Sequence, residues 1–240
     1  MGEETVDDMS HLTNVLSLIA AAGGLGAAAM GLVDASKAFW GGPSNFGFRY
    51  IRMAVERFVP ATADGPRAYS RADILETLKA NWINGVAVAD QKAKARSLVH
   101  LRLTKDDAPA LAPLVGVDPA ALQTAATKAA TGEPVLPADI AILGQFDAVL
   151  NAVLDEAYER ADQRYRNAAK LLAVIVATLL AVAAGWLMAK PASGYFGSQQ
   201  FLTALLVGLS AAPIAPIAKD LASSLQAAGT AVGAARRVSP

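Results

Sequence analysis

Residues Ile19–Lys37 read IAAAGGLGAAAMGLVDASK, and within them Gly24-Leu25-Gly26-Ala27-Ala28-Ala29 fits the G-x-G-x-x-G/A fingerprint of a dinucleotide-binding turn. Such a turn needs a strand before it, a helix after it and an acidic residue roughly 20 positions later to hold a ribose. At that distance stands Gly41-Gly42-Pro43-Ser44-Asn45; Asp34 comes too early, and no βαβ alternation follows. The same residues suit a helix in lipid. Ala20, Gly24 and Ala28 recur every four residues, as do Gly23, Ala27 and Gly31, so two faces of the helix are smooth enough for close backbone approach.

Working outward, Val15–Val33 is a run of 19 residues without a charge, Leu171–Ala189 is another 19, and Phe201–Ala218 is 18. Each is long enough to cross the hydrocarbon core. Three such runs in a chain of 240 residues predict three membrane-spanning helices. The segment before the first run carries Glu3, Glu4, Asp7 and Asp8 and no basic residue, unlike the positive start of a secretory signal, so the first run is read as a retained span. Its alanine and glycine knobs are similar in composition to those on pore-lining helices of small-conductance mechanosensitive channels. That similarity covers one helix and carries no residue motif, so no family follows from it.

Composition agrees. Hydrophobic residues make up 54% and charged residues 18%, below the roughly 25% of soluble domains. Lys+Arg and Asp+Glu both total 21, so no net basicity points to nucleic acid. With no cysteine, and only His11 and His100 among histidines, no metal-binding spacing or nucleophile–base constellation arises. The expectation is a protein that is not an enzyme and holds neither metal nor cofactor.

Sixteen of the 21 basic residues lie between Arg49 and Lys170. The outer loop keeps only Lys190, and the C-terminal tail ends in Arg236 and Arg237. The positive-inside rule then predicts a bacterial-type inner membrane protein with an outer N-terminus and with residues 40–170 and the C-terminus cytoplasmic. Trp186, Tyr195 and Phe196 suit an aromatic belt at the outer interface.

The expected order is an acidic N-terminus (1–14), a first span (15–39), a helical cytoplasmic domain (40–136), a stalk helix (137–170), a second span (171–189), an outer loop (190–200), a third span (201–218) and a cytoplasmic tail (219–240). In the domain, arginines interleave with apolar residues from Arg49 through Arg52 to Arg57, and Arg164, Arg166 and Lys170 precede the second span; all six are read as facing lipid headgroups. A loop is expected over Pro60–Pro66, then a capped helix start at Ser70 with Asp73 three residues on. Thr104 and Asp106 open a short helix, and Asp118-Pro119 opens another that ends at Gly132. From Pro137 a stripe through Phe146, Leu150, Leu154 and Ala161 continues without a proline into the second span, with Glu156–Arg160 and Asp162–Arg166 spaced as ion pairs beside it.

At the inner boundary, Asp34 and Lys37 end the first span while Lys219 and Asp220 end the third, so these charges either pair across the helices, Lys37 with Asp220 and Asp34 with Lys219, or each reaches the headgroups as a flanking anchor. Pro213 and Pro216 remove two backbone donors and predict a kink in the third span. The sequence therefore predicts an all-α integral membrane protein whose partners are the lipid bilayer and further copies of itself, forming a pore or conduit. The alternative is a non-conducting scaffold or regulator whose cytoplasmic domain recruits a soluble protein.

Overall fold

The computed structural model describes residues 2–60 and 70–238, among which helices joined by turns and short loops occur without a strand. The helices are α1 (Gly2–Ala35), α2 (Lys37–Trp40), α3 (Ser44–Phe58), α4 (Arg71–Ile83), α5 (Val88–His100), α6 (Ala108–Val115), α7 (Pro119–Thr131), α8 (Pro137–Met188) and α9 (Gln199–Val238). The loop expected over Pro60–Pro66 falls, from residue 61 on, outside the described residues, as do the side chains of the acidic N-terminus and of Arg236 and Arg237. Among the described residues, three helices are long and apolar enough to cross a membrane: Val15–Trp40, the apolar part of α8, and Gln199–Ser224.

The chain divides into two compact units, Met1–Gly42 with Asn167–Pro240, and Pro43–Arg166. The second unit is a small helical domain whose local boundaries follow from capping chemistry. The Ser70 hydroxyl accepts from the Asp73 N–H at 3.1 Å while the Ser70 N–H donates to the Asp73 carboxylate at 2.9 Å, closing the reciprocal cap of α4. The bonds from the Ser70 hydroxyl and N–H hold the Asp73 carboxyl below its ordinary range. Asp118 caps α7 by accepting from the Ala121 N–H at 2.9 Å, Pro119 takes the first position, and Gly132 ends the helix in the left-handed region. The short helix expected at Thr104–Asp106 starts instead at Ala108, because the Thr104 hydroxyl and the Asp107 carboxylate bond each other at 3.0 Å and fold the turn before it.

The core of this unit is where the long stripe goes. Phe146, Leu150, Leu154 and Ala161 of α8 are buried against Ile51, Val55 and Phe58 of α3, Ile74 and Leu78 of α4, and Leu111 and Leu122 of α6 and α7. Phe58 and Phe146 meet edge to face at 5.9 Å. Trp82 lies in the same core, and its indole N–H donates to the Ser44 carbonyl at 2.8 Å, which satisfies the one polar atom of a large buried ring. Gly47 sits so close to the Ala161 carbonyl and the Trp82 ring that a β-carbon would collide with both, so α3 and α8 approach there by virtue of a missing side chain. Residues 137–166 are thus a core helix of the domain. On the exposed side of α8, Arg160 pairs with Glu156 at 2.6 Å and Arg166 with Asp162 at 2.7 Å, as their spacing predicts.

In the first unit, α1, the last part of α8 and α9 pack through small side chains. Ala29, Ala177 and Ala211 form one buried cluster; Val33, Ala173 and Ala212 form another. Gly208 of α9 lies against the backbone of Thr178, and Gly185 of α8 against the ring of Tyr195. Tyr195 is buried among Phe196 and Phe201, with ring centroids 5.3 and 5.7 Å away, so it plugs the turn between α8 and α9. Only Trp186 and Phe196 of the expected aromatic belt remain exposed.

Candidate functional site

The candidate site is the surface that α1 leaves free. Ala22, Gly26, Ala29 and Val33 are buried, whereas Ala20, Gly24, Ala27, Ala28 and Gly31 are exposed. At about 100° per residue the two sets centre on opposite sides of the helix. A β-carbon on Gly23 would collide with the Ala218 methyl and one on Gly26 with the Ala211 carbonyl, so these glycines admit α9. Gly24 and Gly31 have nothing within 4 Å of that position. Of the six small residues expected to pack helices, Gly23 alone is engaged within the chain, and the other five form an unoccupied smooth strip. Gly26 was legible only as part of the dinucleotide fingerprint; its spacing of four from Ala22 was the signal for a third face.

Beside the strip runs a groove of about 590 Å³, lined by Ala20, Gly23, Gly24, Ala27 and Met30 of α1 and by Ala212, Ala215, Pro216, Ala218, Lys219 and Ala222 of α9. Lys219 is its one ionisable lining group.

Of the two readings of the inner-boundary charges, the cross-helix pairs do not form among the described residues. Asp34 pairs with Lys37 of its own chain turn at 2.5 Å, and neither Lys219 nor Asp220 makes an ion pair among the described residues. Geometry explains this. Gly23 faces Ala218 while Gly26 faces Ala211 and Ala215, so numbering rises along α1 as it falls along α9 and the helices run in opposite senses through this contact. Lys219 consequently lines the groove beside Ala20, and the 14 residues from Ala20 to Asp34 correspond to about 21 Å of helix. The charge distribution has both spans descending together; the packed contact has them opposed, because close approach of glycine and alanine faces is indifferent to chain direction.

Pro213 and Pro216 lie inside α9, which continues through both without interruption. Their missing N–H groups leave the Leu209 and Ala212 carbonyls without the usual partner four residues on. Both rings are exposed, on turns whose neighbours Ala211 and Ala212 are buried.

The six basic residues expected at the headgroups separate into two kinds. Arg52 pairs with Glu56 at 2.9 Å and Arg166 with Asp162. Arg49, Arg57, Arg164 and Lys170 are exposed and make no ion pair among the described residues.

In the helical domain, His100 and Asp147 lie 2.5 Å apart at the edge of a pocket of about 290 Å³ whose other walls are Leu103, Ala126, Ala129, Ala130 and Leu143. The walls supply no hydroxyl, thiol or second acid to complete a catalytic set. Asp139, almost fully buried, accepts from the Lys128 ammonium at 2.7 Å and from the Leu136 N–H at 3.0 Å, and these bonds hold its carboxyl below the ordinary value. Burial pushes the Tyr158 hydroxyl up. No group of three or more metal-ligating side chains occurs among the described residues.

Comparison with protein-family models, with curated proteins and with solved structures yields no match.

Proposed function

We propose that the protein is a multi-pass membrane component whose copies assemble through the smooth strip of α1 into a homo-oligomeric pore or conduit. The observation that carries this reading is the division of α1 into two small-residue faces, one filled by the chain's own helices and one left empty beside a groove. In lipid, hydrophobicity gives an alanine face no preference for protein over acyl chain; a face without side chains gains from a neighbour through dispersion and close backbone contact. Gly24 and Gly31 have the open approach that such a neighbour requires.

The excess of basic residues between the first and second spans supports a bacterial-type inner membrane with residues 40–170 and the C-terminus cytoplasmic. Three crossings then put the N-terminus outside and require α1 and α9 to run in the same sense; the opposed contact at Gly26 is the competing arrangement. The apolar pocket at His100 and Asp147 favours a second reading, in which the domain recruits a soluble partner to a non-conducting assembly.

The test is a pair of substitutions read by mass in nanodiscs. Gly24→Leu with Gly31→Leu leaves the subunit folded and reduces a defined multimer to monomer, with loss of flux in liposomes. Gly26→Leu disrupts the subunit itself. A wild-type protein that is strictly a 24.7 kDa monomer overturns the assembly.

A further inference from the structure

Helix α3 buries one side in the domain core and leaves another with an unusual composition for a solvated face. Phe46 is 54% exposed and Met53 46% exposed, with half-buried Tyr50 between them and, alongside, Arg49 and Arg57, which make no ion pair among the described residues. At about 100° per residue Phe46, Tyr50, Met53 and Arg57 fall in one strip. Next to it lies a groove of about 110 Å³ between α3 and α8, whose walls include Tyr50, Met53, Arg57 and Arg160. Arg160 already neutralises Glu156, the acid lining that groove, and Arg57 makes no ion pair among the described residues. Arg52 and Arg71 are both turned to Glu56 on the neighbouring side and contribute little net charge to the strip.

Chain connectivity limits how far the start of α3 can lie from the end of the first span. Ser44, the first residue of α3, follows Trp40 at the end of the first candidate span by four peptide steps, no more than about 14 Å when extended. Phe39 and Trp40, 78% and 70% exposed, close that span. A helix tethered this near a bilayer, with aromatic and thioether side chains on its open face and arginines flanking them, has the chemistry of an interfacial element: apolar groups enter the acyl boundary and guanidiniums bond phosphate oxygens.

We propose that the exposed face of α3 docks on anionic phospholipid headgroups, with Phe46 and Met53 entering the interface and a lipid phosphate seated at Arg57 in the groove shared with Arg160. This inference rests on the membrane reading and is independent of oligomerisation.

The chain has no cysteine, so Met53→Cys in the full-length protein accepts a single environment-sensitive fluorophore. In nanodiscs rich in phosphatidylglycerol the label is expected to emit to the blue and to resist an aqueous quencher; in phosphatidylcholine discs it does neither. Added salt reverses the effect. Arg49→Gln with Arg57→Gln weakens docking by about fivefold per arginine removed, while Arg96→Gln, on α5, leaves it unchanged. Identical spectra in the two lipids, or a full response in the double variant, overturn the proposal. If glycerol phosphate added to phosphatidylcholine discs reproduces the response, the groove serves a soluble phosphorylated ligand and the lipid assignment fails. Failure to enter nanodiscs at all sinks the membrane reading instead. Circular dichroism of the double variant guards against unfolding, and Arg49→Lys with Arg57→Lys, which keeps the charge, retains most of the response.

Discussion

At the residue scale, the molecule depends on side chains whose neighbours decide their meaning. Gly23 and Gly24 are adjacent and chemically identical, yet one is closed by Ala218 and the other faces open space. Trp82 shows the same dependence in the domain: apolar spacing marks it as a core residue, but its bond to the Ser44 carbonyl joins positions 38 apart and is invisible to local pattern. Trp82→Ala is expected to destabilise the protein by about 3–5 kcal/mol, the usual cost of deleting a large buried aromatic. Trp82→Phe should retain most of the packing and lose the hydrogen bond; thermal unfolding in detergent reads both. Asp139 gives a pH signature. Its folded-state carboxyl is held below the ordinary 3.8 by Lys128 and the Leu136 N–H, so its contribution is fully present above that range and is lost as pH falls through the folded-state value. Asp139→Asn should therefore be less stable than wild type at neutral pH, and the two unfolding curves should converge below pH 3.8.

At the scale of elements, the helices were largely legible because caps and periodicity are local. The Ser70 cap, the Asp118-Pro119 start and the left-handed Gly132 all stand where the sequence puts them. The first helix beyond Gly85 runs over Val88–His100 with no side chain capping its start at Ala87, so no capping residue marks that boundary. Which helix faces which is another matter. A cysteine pair replacing Ala20 and Ala222, which line the same groove, should be bridged by a short bifunctional thiol reagent if the opposed packing of α1 and α9 holds in the bilayer, and a pair replacing Asp34 and Lys219 should not. The reverse result would restore the same-sense arrangement that the charge distribution favours. Small-residue faces lack the shape to reject one direction, so charge and packing can point to different answers.

At the scale of the whole molecule, the placement of charge is the chief guide to orientation. A cysteine at Ser193 should be labelled by an impermeant thiol reagent in intact cells, and one at Ser70 should be protected until the cells are opened. Labelling at Ser70 and protection at Ser193 would invert the topology. Apolar length by itself determined that three segments are able to cross a bilayer, because that property needs only composition summed along about 20 residues. The sequence around Ile19–Lys37 also lacks the strands that a dinucleotide-binding turn requires, and its glycines lie inside a single helix. Tertiary structure alone decided that Gly26 and not Gly24 meets α9, that Lys219 lines a groove with Ala20, and that Tyr195 is buried against Gly185. Each of these depends on the distance between groups far apart in the chain, and in a surface of alanine and glycine no local side-chain pattern encodes that distance.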